Sequence, residues 1–108
     1  MAFRVVITGR AVRDMTEAAQ WWARERSVEE AARWIDGLER ELRTLAHSPL
    51  RCSLIAEHKQ FSQALRELHF GLGSRRTHRA IFAVSDDVVL VLAVRHERRD
   101  GLHPDDLA

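Results

Sequence analysis

Val88 to Val94 reads Val-Val-Leu-Val-Leu-Ala-Val, apolar at every position. Strict alternation puts Val88, Leu90, Leu92 and Val94 on one side and Val89, Val91 and Ala93 on the other. A strand apolar on both sides is normally covered on both faces. Thr77 to Val84 has the same character, with Ala80, Phe82 and Val84 facing one way and Ile81 and Ala83 the other. Ser85-Asp86-Asp87 between the two segments is turn chemistry, so they form a hairpin. Any fold open to this chain must therefore bury one hairpin from both sides.

The rest of the chain supplies one set of covering elements. Phe3 to Thr8 alternates as a short strand, and Gly9 punctuates it. From about Ala11 to Glu25 the period becomes helical, with Val12, Met15, Ala19 and Trp22 at steps of three and four and Ala11 and Ala18 beside them. Ser27 and Glu30 form an S-x-x-E pair, the signature of a capping box, which starts a second helix at about Val28. Ala31, Trp34, Ile35, Leu38, Leu42 and Leu45 trace its apolar stripe, and Pro49 forbids its continuation beyond His47-Ser48. So few residues join the helices that they must lie antiparallel.

Pro49 to Ser62 reads as a loop holding up to one helical turn, and Leu65 to Phe70 as a strand closed by Gly71-Leu72-Gly73. Val88 to His96 ends the strands. Asp100-Gly101 and His103-Pro104 break the remainder, so residues 97–108 are expected to form a loosely held tail. The expected architecture is α+β: an N-terminal strand, an antiparallel helical hairpin, and a three-stranded antiparallel segment completing one small sheet (β-α-α-β-β-β). Two helices cover only one face of such a sheet. The other needs the tail, a dimer mate or a separate partner.

At 108 residues the chain fits one domain, 1–108. Its single cysteine, Cys52, excludes an internal disulfide and suits a reduced, cytoplasmic setting. No apolar run approaches the ~18 residues of a membrane span, and no signal peptide is visible. The six histidines show no metal-ligand spacing, and no Gly-rich phosphate loop follows a strand, so neither metal nor cofactor is expected.

The net charge is only +1, which gives no global case for nucleic acid. Locally, Phe61 to Arg99 holds seven arginines (66, 75, 76, 79, 95, 98 and 99) against four acids. Arg66, Arg79 and Arg95 sit inside expected strands. Their planar forks suit phosphate or carboxylate, unless they simply pair with Glu67, Asp86 or Asp87. His96 ends the last strand. With Arg66 and Arg79 it forms a candidate RNA-cleaving group: the arginines would hold the phosphorane charge, and His96 would protonate the leaving oxygen. Alone, a histidine ending a strand is more often structural. Arg75, Arg76, Arg95 and Trp21 are candidate contacts for a protein partner. Trp21 lies about 100° out of phase with the buried stripe, so it either packs inside the hairpin or meets that partner. Few aromatics lie near the arginines in sequence, which argues against base stacking.

Several strings, taken in order, resemble the RelE/ParE toxin superfamily of type II toxin–antitoxin systems. "FRVVIT" and "RAVRDM" resemble its opening, and "AARWIDGLERELRTLAHSPLRC" its long helix and proline turn. "LRELHFG", "THRAIFAV" and "VVLVLAVRHERRD" resemble its three closing strands. The resemblance implies a cognate antitoxin whose C-terminal segment wraps the toxin and covers the second sheet face, in a hetero-oligomer or beside a homodimer. It also implies one of two targets. The RelE branch cleaves ribosome-bound mRNA, and Arg66, Arg79 and His96 fall where that branch places its arginines and late catalytic residue. The ParE branch is associated with DNA gyrase inhibition and plasmid stabilisation. The long capped hairpin and the closing "VRHERRD" look more like ParE, and His78 stands where the nuclease branch often has a tyrosine. Three expectations follow: a gyrase-directed growth inhibitor without chemistry, an mRNA interferase, or a decayed member that keeps only antitoxin binding.

Overall fold

The computed structural model describes residues 2–98 and 101–107, so Arg99 and the Asp100 half of the expected Asp100-Gly101 break lie outside the described residues. The elements run β1 (Arg4–Ile7), α1 (Gly9–Glu25), α2 (Val28–Arg43), β2 (Leu65–Phe70), β3 (His78–Ser85) and β4 (Val88–His96). Short 3-10 turns lie at Thr44–Ala46, Pro49–Arg51, His58–Gln60 and Pro104–Leu107. The expected β-α-α-β-β-β order stands, in one sheet of strand order β1-β4-β3-β2. β2, β3 and β4 are mutually antiparallel, and β1 returns through the helices to pair parallel with β4, making the sheet mixed.

Local chemistry sets the helix ends. Thr8 is the N-cap of α1, its Oγ1 accepting from the Ala11 N–H at 3.2 Å, so Gly9 opens the helix rather than punctuating a strand. Ser27 caps α2 as expected, its Oγ accepting from the Glu30 N–H at 3.0 Å. The reciprocal half of the capping box is absent. The Ser27 N–H is already bonded to the Trp22 carbonyl, and the Glu30 carboxylate pairs with Arg26 at 3.2 Å. The stripe of α2 is buried as read, except that Ile35 is only half-buried. That of α1 is rotated: Ala11 and Met15 are buried, Ala18 and Trp22 pack against the core, and Val12 is exposed.

Both helices lie on one face, with Trp34 fully buried among Leu38, Leu42, Phe82, Val89 and Val91. One irregularity decides which residues reach this helix-side face. β3 and β4 shift register between Ile81 and Phe82: Phe82 pairs with Val91 but Ile81 with Ala93, leaving Leu92 as an extra residue. Strict alternation along Val88–Val94 therefore fails. Val94 joins Val89 and Val91 on the helix side, and Ala93 turns to the far side. Past the bulge every later side chain of β4 is reversed relative to the simple pattern. β1 ends at Ile7, and beyond it the Val94 N–H donates to the Asp14 carboxylate of α1 at 2.9 Å.

The far face is closed by the chain itself. Ile55, Leu65, Ile81, Ala83, Ala93 and Leu102 form a second buried cluster, with Phe61, Leu92 and Leu107 packed against it. Residues 53–55 also run beside β2, with bonds from the Ile55 N–H to Leu65 and from the Glu67 N–H to Ser53. The expectation that an antitoxin covers this face is thus corrected: the loop after α2 and residues 101–107 lie there.

Candidate functional site

The sheet separates the three residues first considered for nuclease chemistry. Arg66 pairs with Phe82, and His96 with His78, so both share the helix-side face. They lie two strands apart and four positions along β3, about 13 Å at ~3.3 Å per residue. Arg79 pairs with His69 and Arg95 and faces the far side. Arg66 donates to the Cys52 carbonyl at 2.6 Å, anchoring the loop after α2. Burial raises the Cys52 thiol pKa against the pull of Arg51 and Arg66, which leaves it a weak nucleophile.

Arg79 is buried and forked onto Glu57, with hydrogen bonds of 3.1 and 2.7 Å. The same carboxylate accepts the Leu102 N–H at 2.6 Å. The Arg79 hydrogen bonds, with the Leu102 N–H in support, lower Glu57 to about 2 against the opposing cost of burial. Arg79 also approaches Glu67 at 3.8 Å, and His69 bridges Glu67 and Glu97. Arg95, expected at a partner surface, is buried on this face with Nη1 3.3 Å from Asp106. The far-face arginines thus hold residues 101–107 down.

The other expected contact residues converge. A groove of about 440 Å³ opens between the end of α1, the β2–β3 loop and the end of β4. Trp21 and Trp22 form one wall, and Arg75, Arg76, His96 and Arg98 line the other sides. Trp21 is 48% exposed and stands edge-on to Trp22, with ring centroids 5.4 Å apart at 85°. That contact holds the two indoles near a right angle while about half of Trp21 stays open to solvent. Gly71 shapes the loop: a Cβ there would meet the Arg75 carbonyl oxygen at 1.9 Å. Only glycine lets the chain fold back here and bring Arg75 and Arg76 to the groove.

Beneath the groove runs a chain of edge-on aromatic contacts. Trp34, His78 and His96 follow one another at centroid spacings of 4.9 and 5.0 Å. Burial, with His96 adding to it, lowers His78 to about 4, so its ring is neutral near pH 7. The Arg98 backbone N–H donates to Nδ1 of His96 at 3.0 Å. Among the described residues, no group of three or more His, Cys, Asp or Glu side chains is arranged to hold a metal ion, and no helix is long and apolar enough to cross a membrane.

Residues 5–101 match the family described as the ParE toxin of the type II toxin–antitoxin system parDE. The chain belongs to the ParE toxin family. It resembles the solved chromosomal ParDE toxin–antitoxin system of P. aeruginosa with a TM-score of 0.71 and 14% identity, over 88% of this chain and 96% of that one. It also resembles a chain of the RelBE2 toxin–antitoxin complex of Mycobacterium tuberculosis, with a TM-score of 0.52 and 20% identity, over 90% and 100%. At these identities the likeness is one of fold. No curated protein matches the chain.

In this ParE-family toxin, sequence reasoning singled out Trp21, Arg75 and Arg76, and the fold gathers them. It underrated the neighbourhood of aromatics and arginines, because Trp21 and Arg75 are 54 positions apart in the chain. Glu57 carried no signal at all, since its partners Arg79 and Leu102 lie 22 and 45 positions further along the chain.

Proposed function

We propose that this chain is the toxin of a ParDE-type module. It arrests growth by binding DNA gyrase without chemistry of its own, and a cognate antitoxin protein neutralises it. Membership of the ParE family supports this, as does likeness in fold to a ParDE system and to a RelBE2 toxin–antitoxin complex. The observation that carries it is the orientation of Arg79. Cleavage through a 2′-OH needs acid, base and cationic groups within reach of one phosphate. Here Arg79 is forked onto Glu57 on the face opposite Arg66 and His96, while Arg66 is occupied by the Cys52 carbonyl. A binding inhibitor needs only a surface.

The test is induction of the lone gene in a tightly repressed host, with plasmid topology and transcript ends read from one culture. Growth arrest with gyrase-linked DNA damage and intact transcripts is expected. Mapped mRNA cuts with normal supercoiling would overturn the reading in favour of an interferase, and absence of any growth effect would favour a member that only binds antitoxin.

A further inference from the structure

The groove beside Trp21 has a chemistry that gyrase binding does not call for. Three arginines reach it unpaired: among the described residues, Arg75, Arg76 and Arg98 take part in no ion pair. The one carboxylate at its rim, Glu97, is bonded to His69, and Arg26 is satisfied by Glu30. With three unpaired arginines against one carboxylate, the site carries a net positive charge next to an exposed indole that meets Trp22 edge-on. Guanidinium forks match phosphate oxygens, and a flat aromatic face stacks a nucleobase whatever its sequence. A volume of about 440 Å³ lies within the ~300–1,000 Å³ typical of small-ligand sites.

We propose that this groove binds a short stretch of single-stranded nucleic acid, with phosphates held by Arg75, Arg76 and Arg98 and one base stacked on Trp21. A peptide is the poorer fit. An acidic peptide would satisfy the arginines, yet it would leave the half-exposed indole of Trp21 without a stacking partner. The inference goes beyond gyrase inhibition and does not depend on it, because it concerns the purified chain and a strand alone.

The test uses the full chain with fluorescein-labelled ten-nucleotide oligothymidylate and oligouridylate, read by anisotropy and tryptophan emission. Binding with quenching is expected. At ~0.7 ions released per phosphate contact, three contacts should weaken affinity roughly 20-fold between 50 and 200 mM NaCl. Replacing both Arg75→Gln and Arg76→Gln leaves one contact and should cut that loss to about threefold. Trp21→Ala should lose the quench and roughly tenfold in affinity, whereas Trp21→Phe, which keeps a ring, should retain most of the affinity. These positions are exposed, and far-ultraviolet circular dichroism checks that each variant is folded. Preference for one oligonucleotide tells whether DNA or RNA is the natural strand and supports the proposal either way. No binding of either at 50 mM NaCl, or an unchanged salt dependence in the double variant, overturns it. So does a tryptophan-capped oligoglutamate that binds where neither oligonucleotide does.

Discussion

On the helix side of the sheet, Trp34, Leu38, Leu42, Phe82, Val89 and Val91 meet in one continuous apolar layer, and among the described residues the one buried titratable side chain there is the neutral His78. On the far side, a smaller cluster around Ile55, Leu65, Ile81 and Leu102 is ringed by polar and charged side chains: Glu57, Glu67, His69, Arg79, Arg95 and Asp106. The first layer is made by whole helices whose stripe repeats every three or four residues. The second is made by single residues from separated segments, drawn together by a carboxylate that takes two guanidinium bonds and one backbone N–H. Apolar area closes one face. A latch closes the other, and this distinction can be tested.

The largest effect should come from the helix side. Trp34 is fully buried and touches Phe70 and His78 with its ring. Trp34→Ala should cost about 3–5 kcal/mol in denaturant unfolding, enough to threaten the fold of a small domain. A loss below about 1 kcal/mol would mean that the helical layer is not what sustains this face.

Arg79→Met comes next. It leaves the Glu57 carboxylate with the Leu102 N–H as its partner and should cost about 3 kcal/mol. The damage should be local. Hydrogen exchange at the Leu102 amide should accelerate far more than at amides of the β3–β4 ladder. The double variant Glu57→Gln with Arg79→Met should lose less than the single one, because no charge is then left uncompensated. Equal Leu102 protection in wild type and Arg79→Met would sink the latch.

The same contrast explains what could be read from the chain. The stripe of α2, the Ser27 cap, the Asp86-Asp87 turn and the order of elements along the chain are short-range patterns, and all are visible as local periodicity or turn chemistry. The far face has no such period. Leu102 lies among breakers, and nothing near Glu57 or Arg79 in the sequence announces their pairing. The candidate site falls between these cases. Trp21, Arg75 and Arg76 stood out by type and phase, but their meeting depends on a loop folded over Gly71. Which face His96 takes depends on one extra residue, Leu92, in β4. Simple alternation would have put Arg95 beneath the helices and His96 outside. Bulges are set by packing of the whole sheet, and strand periodicity does not record them.

The smallest of these effects, and the one that separates the faces by pH, concerns His78. Its folded pKa of about 4 lies below the 6.5 of an unfolded histidine. Between these values the unfolded state binds more protons, so the stability His78 contributes is complete above pH 6.5 and fades as pH falls toward 4. From pH 7.5 to 5 the loss should be about 2 kcal/mol. Glu57 behaves differently. Its folded value of about 2 lies below the usual 4.5, so its contribution is intact down to pH 4.5 and is lost only as pH falls toward 2. Mild acid should therefore loosen the helix side while the far-face latch holds. Urea unfolding at pH 7.5, 6.5, 5.5 and 5 should show a steeper decline for the wild type than for His78→Phe, which keeps an aromatic ring against Trp34 without a titratable nitrogen. Leu102 amide protection should outlast that of the helix-side amides over the same range. Parallel declines in the two proteins would show that acid sensitivity arises elsewhere, and that the neutral histidine under the groove is a packing residue without electrostatic consequence.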